Sequence, residues 1–313
     1  MMSTPLRLAS YVELPTHKGN GGFDHAAVHA ASGHVYVAHT ANDAVDVFDP
    51  ASAKYVSSIA DLSAVAGVLV SEESQLIITS NRGENTIGVF APGHNPEILK
   101  IPVGIRPNGL GYDPVRRLVL AANVGDPVVA GSYTLSMVAL DRRAMIADVQ
   151  VPGRTRWALY DPDADRFYVN IADPARIVLV DANNPGAIAA TFNIPAAGPH
   201  GLDLDFKTRR LFCACDAGRL ITLDAPSGKI LSDLELSGTP DVVFFNPVRQ
   251  HLYVAVGNPG VIDVFDTTRM TRIGCVETER GAHTIAFAPS GQQVYAFLPQ
   301  THRAAIYEVQ SST

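Results

Sequence analysis

The chain has 313 residues, with 24 Lys and Arg against 31 Asp and Glu, a formal net charge of −7. That balance argues against a general nucleic-acid binder, which needs a basic face to neutralise phosphates. Apolar residues at 47%, charged residues at 18%, 25 glycines and 21 prolines describe a turn-rich globular chain with a large core, and exclude disorder and collagen.

At the N-terminus, Met1 to Ala9 lacks the apolar run of a secretory signal, and no stretch approaches the roughly 20 apolar residues of a membrane span. A cytoplasmic protein is expected. Leu6 to Pro15 (LRLASYVELP) reads as a strand, and His17 and Lys18 follow in a Gly-rich turn. From there one pattern recurs: an alternating apolar strand, an Asp/Asn-Pro or Ser-Gly turn, then a second strand. In chain order it begins as DHAAVH at 24, AGVLVS at 66, NGLGYDP at 108, RWALYDP at 156, HGLDLD at 200, DVVFFNP at 241 and HTIAFAP at 283. The spacings are 42, 42, 48, 44, 41 and 42 residues, the period of a four-stranded propeller blade. Second strands such as HVYVAH and LVLAAN, third strands such as AVDVFD and VIDVFD, and a looser fourth complete each unit. The extra residues of the third repeat, VGDPVVAGSYT, read as a long loop.

The seventh repeat ends before its fourth strand, and Leu6 to Pro15 supplies the missing one, which removes an open sheet edge. The expectation is an all-β, single-domain, seven-bladed β-propeller over residues 1–313, closed by its N-terminal strand. Such a ring is self-sufficient, so a monomer is expected. Cys213, Cys215 and Cys275 match neither a zinc ribbon nor a C-x-x-C redox motif and read as reduced structural thiols.

The stretches GGFDHAAVHAASGHVYVAHTANDAVDVFDP (Gly21 to Pro50), GENTIGVF and RPNGLGYDPVRRLVLAAN (Arg106 to Asn123) carry a resemblance to the YVTN-repeat, or YncE-like, seven-bladed propeller family. It covers nearly the whole chain and implies the fold more than an activity. Relatives of this kind are often labelled gluconolactonase-like, by similarity to the regucalcin-type lactonases. In those lactonases the site is oxygen-only, from Glu, Asn and Asp. Asn108 and Asp241 fit the last two roles, and no Glu occupies the first-blade position. The chain also departs from the family pattern by placing His200 and His283 where Thr and Arg are expected.

The residues entering the seven innermost strands face one mouth of the central channel: Asp24, Ala66, Asn108, Arg156, His200, Asp241 and His283. Two His and two Asp at one level are N/O donors suited to a divalent zinc, manganese or iron ion, so Asp24, His200, Asp241 and His283 are candidate ligands. A bound ion would acidify water and polarise a carbonyl. The competing reading is a hydrated polar channel in which the same side chains satisfy strand ends. Arg156 beside Trp157 suits an anionic organic group with an aromatic wall, or else neutralises Asp24 or Asp241. His25, a candidate catalytic base, alternates away from the channel unless a bulge reverses it. His39, Asn123 and Asn170, with Asn81, Asp216 and Asn258, are placed at the rim as substrate contacts or ordinary turn residues.

There is no G-x-S-x-G elbow, H-E-x-x-H, P-loop or C-x-x-C-H. The leading expectation is a metal-dependent, lactonase-like hydrolase acting on a small molecule that is anionic or a cyclic ester. The alternatives are a lyase for an acidic substrate and a non-enzymatic ligand- or protein-binding propeller.

Overall fold

The computed structural model describes residues 5–310. It consists of seven four-stranded antiparallel sheets arranged as the blades of a β-propeller. Blade one is Phe23–Val28, Val35–His39, Ala44–Asp49 and Lys54–Ile59, and the next five repeat that order from Val65–Ser71, Pro107–Asp113, Thr155–Asp161, Pro199–Asp205 and Thr239–Asn246. The last sheet takes Ile285–Phe287, Gln293–Leu298 and Arg303–Val309 from the C-terminal end and Leu6–Glu13 from the N-terminal end. Leu6 pairs with Val309 and Glu13 with Arg303, so the ring closes in the expected way and the N-terminal strand covers the outer edge of Arg303–Val309.

The alternation becomes burial directly. Second and third strands are buried along their length because both faces of each blade pack on a neighbour, as in Val35–His39 and Leu118–Asn123, while fourth strands such as Ile188–Asn193 alternate with solvent. The core therefore lies between blades, in layers such as Tyr168, Leu179, Leu204 and Leu211. Cys213 and Cys215 are two residues apart on the second strand of blade five, both buried and unoxidised, and burial pushes the Cys213 thiol up.

The repeated Asp/Asn-Pro has a local cause. Asp113 Oδ1 accepts the N–H groups of Val115 and Arg116; Asp161, Asp205 and Asn246 do the same for their own turns. The turn then passes through one left-handed residue before the second strand, at Gln75, Arg117, Asp165, Arg209 and Gln250, with φ between 50° and 58°. In the two Ser-Gly copies the same place is Gly33 and Gly291, φ 74° and 73°, where the lack of a Cβ removes the left-handed penalty. The extra residues of blade three form a loop between its second and third strands, tied by Ser132 Oγ donating to the Asp126 carbonyl at 2.7 Å.

Six of the seven inner strands carry an irregularity just after their entry, the exception being Ile285–Phe287 of blade seven. In blade one the pairing shifts between Phe23 and Ala26, and in blade four between Thr155 and Ala158. The residues between are released from the ladder, and these are the ones that line the mouth.

Candidate active site at the channel mouth

Asp24, Arg156, His200, Asp241 and His283 lie where the inner strands of blades one, four, five, six and seven begin, and the ring brings them together. Asp241 is the hub. One of its carboxylate oxygens is 3.1 Å from His200 Nε2 and the other 2.8 Å from His283 Nδ1. His200 Nδ1 is in turn 2.7 Å from Asp216 Oδ1, and Arg156 Nη2 donates to Asp216 Oδ2 at 3.2 Å. Asp216 follows the second strand of blade five, and Gly198, φ 70°, leaves it room: a Cβ there would stand 2.6 Å from the Asp216 Cβ. On the other side of the ring Asp24 Oδ2 meets Arg82 Nη2 at 3.1 Å.

Burial and charge set the protonation of this chain of groups. Burial alone lowers the pKa of His200, but the Asp241 and Asp216 carboxylates outweigh it and raise it to about 9, against an opposing push from Arg156. His283 is likewise lowered by burial and raised on balance by Asp241 and Asp24. Burial works to raise Asp241, and the two imidazoles hold it well below the usual carboxylate range. His200 is thus an imidazolium at neutral pH with both N–H groups directed at carboxylates. Arg156 Nη1, 3.1 Å from its Nε2, stands as a second cation beside the first.

His283 is different in one respect. Its Nδ1 faces Asp241, its side chain is 35% exposed, and its Nε2 has no partner among the described residues. An imidazole oriented by a carboxylate at one nitrogen and open at the other is the base–orienter pair of hydrolytic sites.

Around this core the mouth is cationic. Arg156, Arg82 and Arg106 lie close enough to Arg154 that burial and their combined repulsion lower the Arg154 pKa, with Asp216 opposing. With His200 and Arg156 they outnumber Asp24, Asp216 and Asp241. The sequence reading missed Arg82, Arg106 and Arg154. The signal was present for two of them, because Arg106 and Arg154 both stand two residues ahead of a ring position, where other blades carry Gly22, Gly198 or Gly281.

The four expected metal ligands start inner strands around one mouth, but as placed they form ion pairs: Asp241 lies between His200 and His283, His200 has its other nitrogen on Asp216, and Asp24 pairs with Arg82. Among the described residues no group of three or more His, Cys, Asp or Glu side chains is arranged to hold a metal ion. The residues as placed do not fit an ion.

Three of the expected substrate contacts are buried. His39 is completely buried, its Nδ1 2.6 Å from Asp46 Oδ2 and its Nε2 2.7 Å from His17 Nδ1, because the end of the second strand turns into the blade rather than to the axis. Asn123 is completely buried and donates to Thr134 and Ser136 within blade three. Asn170, also buried, donates to the carbonyls of His200 and Gly201 at 2.9 and 3.1 Å, so it fastens the blade-five inner strand from below. Asn108 is 5% exposed with its Oδ1 unpartnered, and Ala66 is buried.

His25 is turned inward by the blade-one bulge. Its ring stacks on Trp157 from blade four at a centroid distance of 4.2 Å and 37° tilt, while its backbone N–H donates to Asp24 at 3.0 Å. Burial lowers its pKa, so it is neutral, and it lies beneath the ring rather than open to the mouth. Trp157 reaches His25 of blade one and also packs against the apolar cluster between blades four and five.

No protein-family model matches the chain, and no curated protein does. Among solved structures it is similar to the Kuenenia stuttgartiensis hydrazine synthase, with a TM-score of 0.81 over 96% of this chain and 97% of that one at 13% identity. At that identity the likeness shows the propeller fold and nothing of the chemistry.

Proposed function

We propose that the mouth is an acid–base site that hydrolyses a small lactone or related cyclic ester bearing an anionic group. The observation that carries this reading is the His283–Asp241 pair, 2.8 Å apart, with His283 Nε2 open and with His200, itself 3.1 Å from Arg156, on the other oxygen of Asp241. Arg156, supported by Arg82 and Arg154, holds the anionic substituent. Neutral His283 takes a proton through Nε2 from a water that attacks the ester carbonyl, and Asp241 stabilises the imidazolium formed. The positive charge of His200 and Arg156 favours the developing oxyanion. When the tetrahedral intermediate collapses, the ring oxygen leaves with the proton held on His283, giving the hydroxy acid and restoring the base.

The resemblance to YVTN-repeat and regucalcin-type propellers supports the choice of a cyclic ester, with Asn108 and Asp241 at matching positions. The metal-dependent version of this reaction requires His200 to lose its proton and release Asp216. The arginine cluster equally favours a carboxylate substrate from which His283 removes a carbon-bound proton, a lyase reaction on the same residues. A screen of anionic lactones and of β-substituted carboxylic acids with the parent protein, His283→Ala and Arg156→Ala tests both: turnover that depends on both residues supports the site, and turnover indifferent to either removes it.

A further inference from the structure

The channel has a second compartment on the far side of the His25–Trp157 stack. At that level the inner strands of blades two, three and five carry Gly67, Gly109 and Gly201, where a Cβ would collide with a backbone oxygen of the next inner strand, so these strands pack closely and the large side chains at this level are His25 and Trp157. Phe244 meets Trp157 edge-on at 6.1 Å and completes the partition. Beyond it lies a cavity of about 460 Å³, within the range of small-molecule sites, that opens at the mouth opposite the polar ring.

Its wall is apolar, from Val70, Leu110, Leu159, Phe244 and Phe287, and the His25 and Trp157 rings form its floor. Among the described residues no Lys or Arg lines the cavity, and the charged side chains that do are Glu72 and Glu73, in the turn that ends the blade-two inner strand. Glu72 accepts the Ala30 N–H with one oxygen and has the other 3.7 Å from His29 Nε2; Glu73 is exposed and has no ion-pair partner among the described residues. An apolar pocket closed by aromatic rings, with carboxylates at its entrance, complements a molecule with an apolar body and a cationic end.

We propose that this compartment is a binding site for an amphiphilic amine, whose hydrocarbon body packs on the Trp157 floor and whose ammonium group sits between Glu72 and Glu73. The opposite mouth, with its arginines, selects anions, so the two ends of one channel discriminate by charge. The proposal stands on the cavity and its carboxylates and does not depend on the reaction at the other mouth.

Trp157 is the single tryptophan of the chain, so its fluorescence reports occupancy directly. The full chain is titrated at neutral pH with octylamine, octanol and octanoate, below the concentrations at which they aggregate. Octylamine is expected to give a saturable change with a Kd about tenfold below that of octanol, and octanoate to bind weakest. The Glu72→Gln/Glu73→Gln variant, which keeps the Ala30 acceptor, is expected to bring octylamine to the octanol value and leave octanol unchanged, while Arg156→Ala alters neither. No saturable response to octylamine, equal affinities for the three probes, or a response abolished by Arg156→Ala and untouched by the glutamine variant overturns the proposal.

Discussion

His283 of blade seven and Asp241 of blade six, 42 residues apart in sequence, meet at 2.8 Å across the seam between their blades. Asp241 also holds His200, so one carboxylate raises the pKa of two imidazoles, that of His200, which Asp216 also contacts, to about 9. The two histidines therefore have separable roles, and variants distinguish them.

If neutral His283 is the base, turnover rises with pH through its raised pKa and levels off above it. Asp241→Asn removes the main source of that rise, so the inflection moves to lower pH while the plateau falls. His283→Ala loses about 10²- to 10⁴-fold in kcat/KM, the usual contribution of a positioned base. A pH–rate profile of the three proteins checks this, and an Asp241→Asn profile that keeps the parent inflection contradicts the assignment.

His200 couples folding to pH. Its folded pKa of about 9 lies above the unfolded value of 6.5, so its stabilisation is complete below pH 6.5 and is lost as pH rises toward 9. The shift corresponds to about 3 kcal/mol at most. Urea unfolding between pH 6 and 10 is expected to show this decline in the parent, and a His200→Asn variant is expected to be less stable at pH 6 and nearly flat across the window.

Because the site is read as a proton-transfer network, incubation with a chelator followed by desalting leaves turnover unchanged, and elemental analysis of the purified chain finds no stoichiometric zinc, manganese or iron. Activity lost on chelation and restored by one of those ions supports the metal-dependent reaction instead.

The turns yield a prediction free of side-chain packing. Gly33 has φ 74° and no atom within 4 Å of where a Cβ would stand, so Gly33→Ala probes the backbone alone and is expected to cost about 1–2 kcal/mol in urea unfolding. Gln250→Gly, at the equivalent place in blade six with φ 55°, is expected to be neutral or stabilising.

The propeller was legible because its information is local and repeated. Asp113, Asp161 and Asp205 each close their own turn, the two-residue alternation assigns each strand's faces, and seven copies at near-constant spacing leave a closed ring as the way to bury those faces. The mouth residues were legible for the same reason, since Asp24, Arg156, His200, Asp241 and His283 occupy one repeat position. Their protonation was not, because it follows from distances between blades: His200 becomes a lasting cation only when Asp216 and Asp241 close on it from two sides. The direction of His25 depended on a bulge that alternation does not encode, and the burial of His39 and Asn123 on strand ends that turn into the blade. The division of the channel by His25 and Trp157 arises from rings on blades one and four, 132 residues apart, meeting over the axis. Local hydrogen bonding and periodicity settle the blades, whereas charge state and cavity shape are properties of the ring after it has closed.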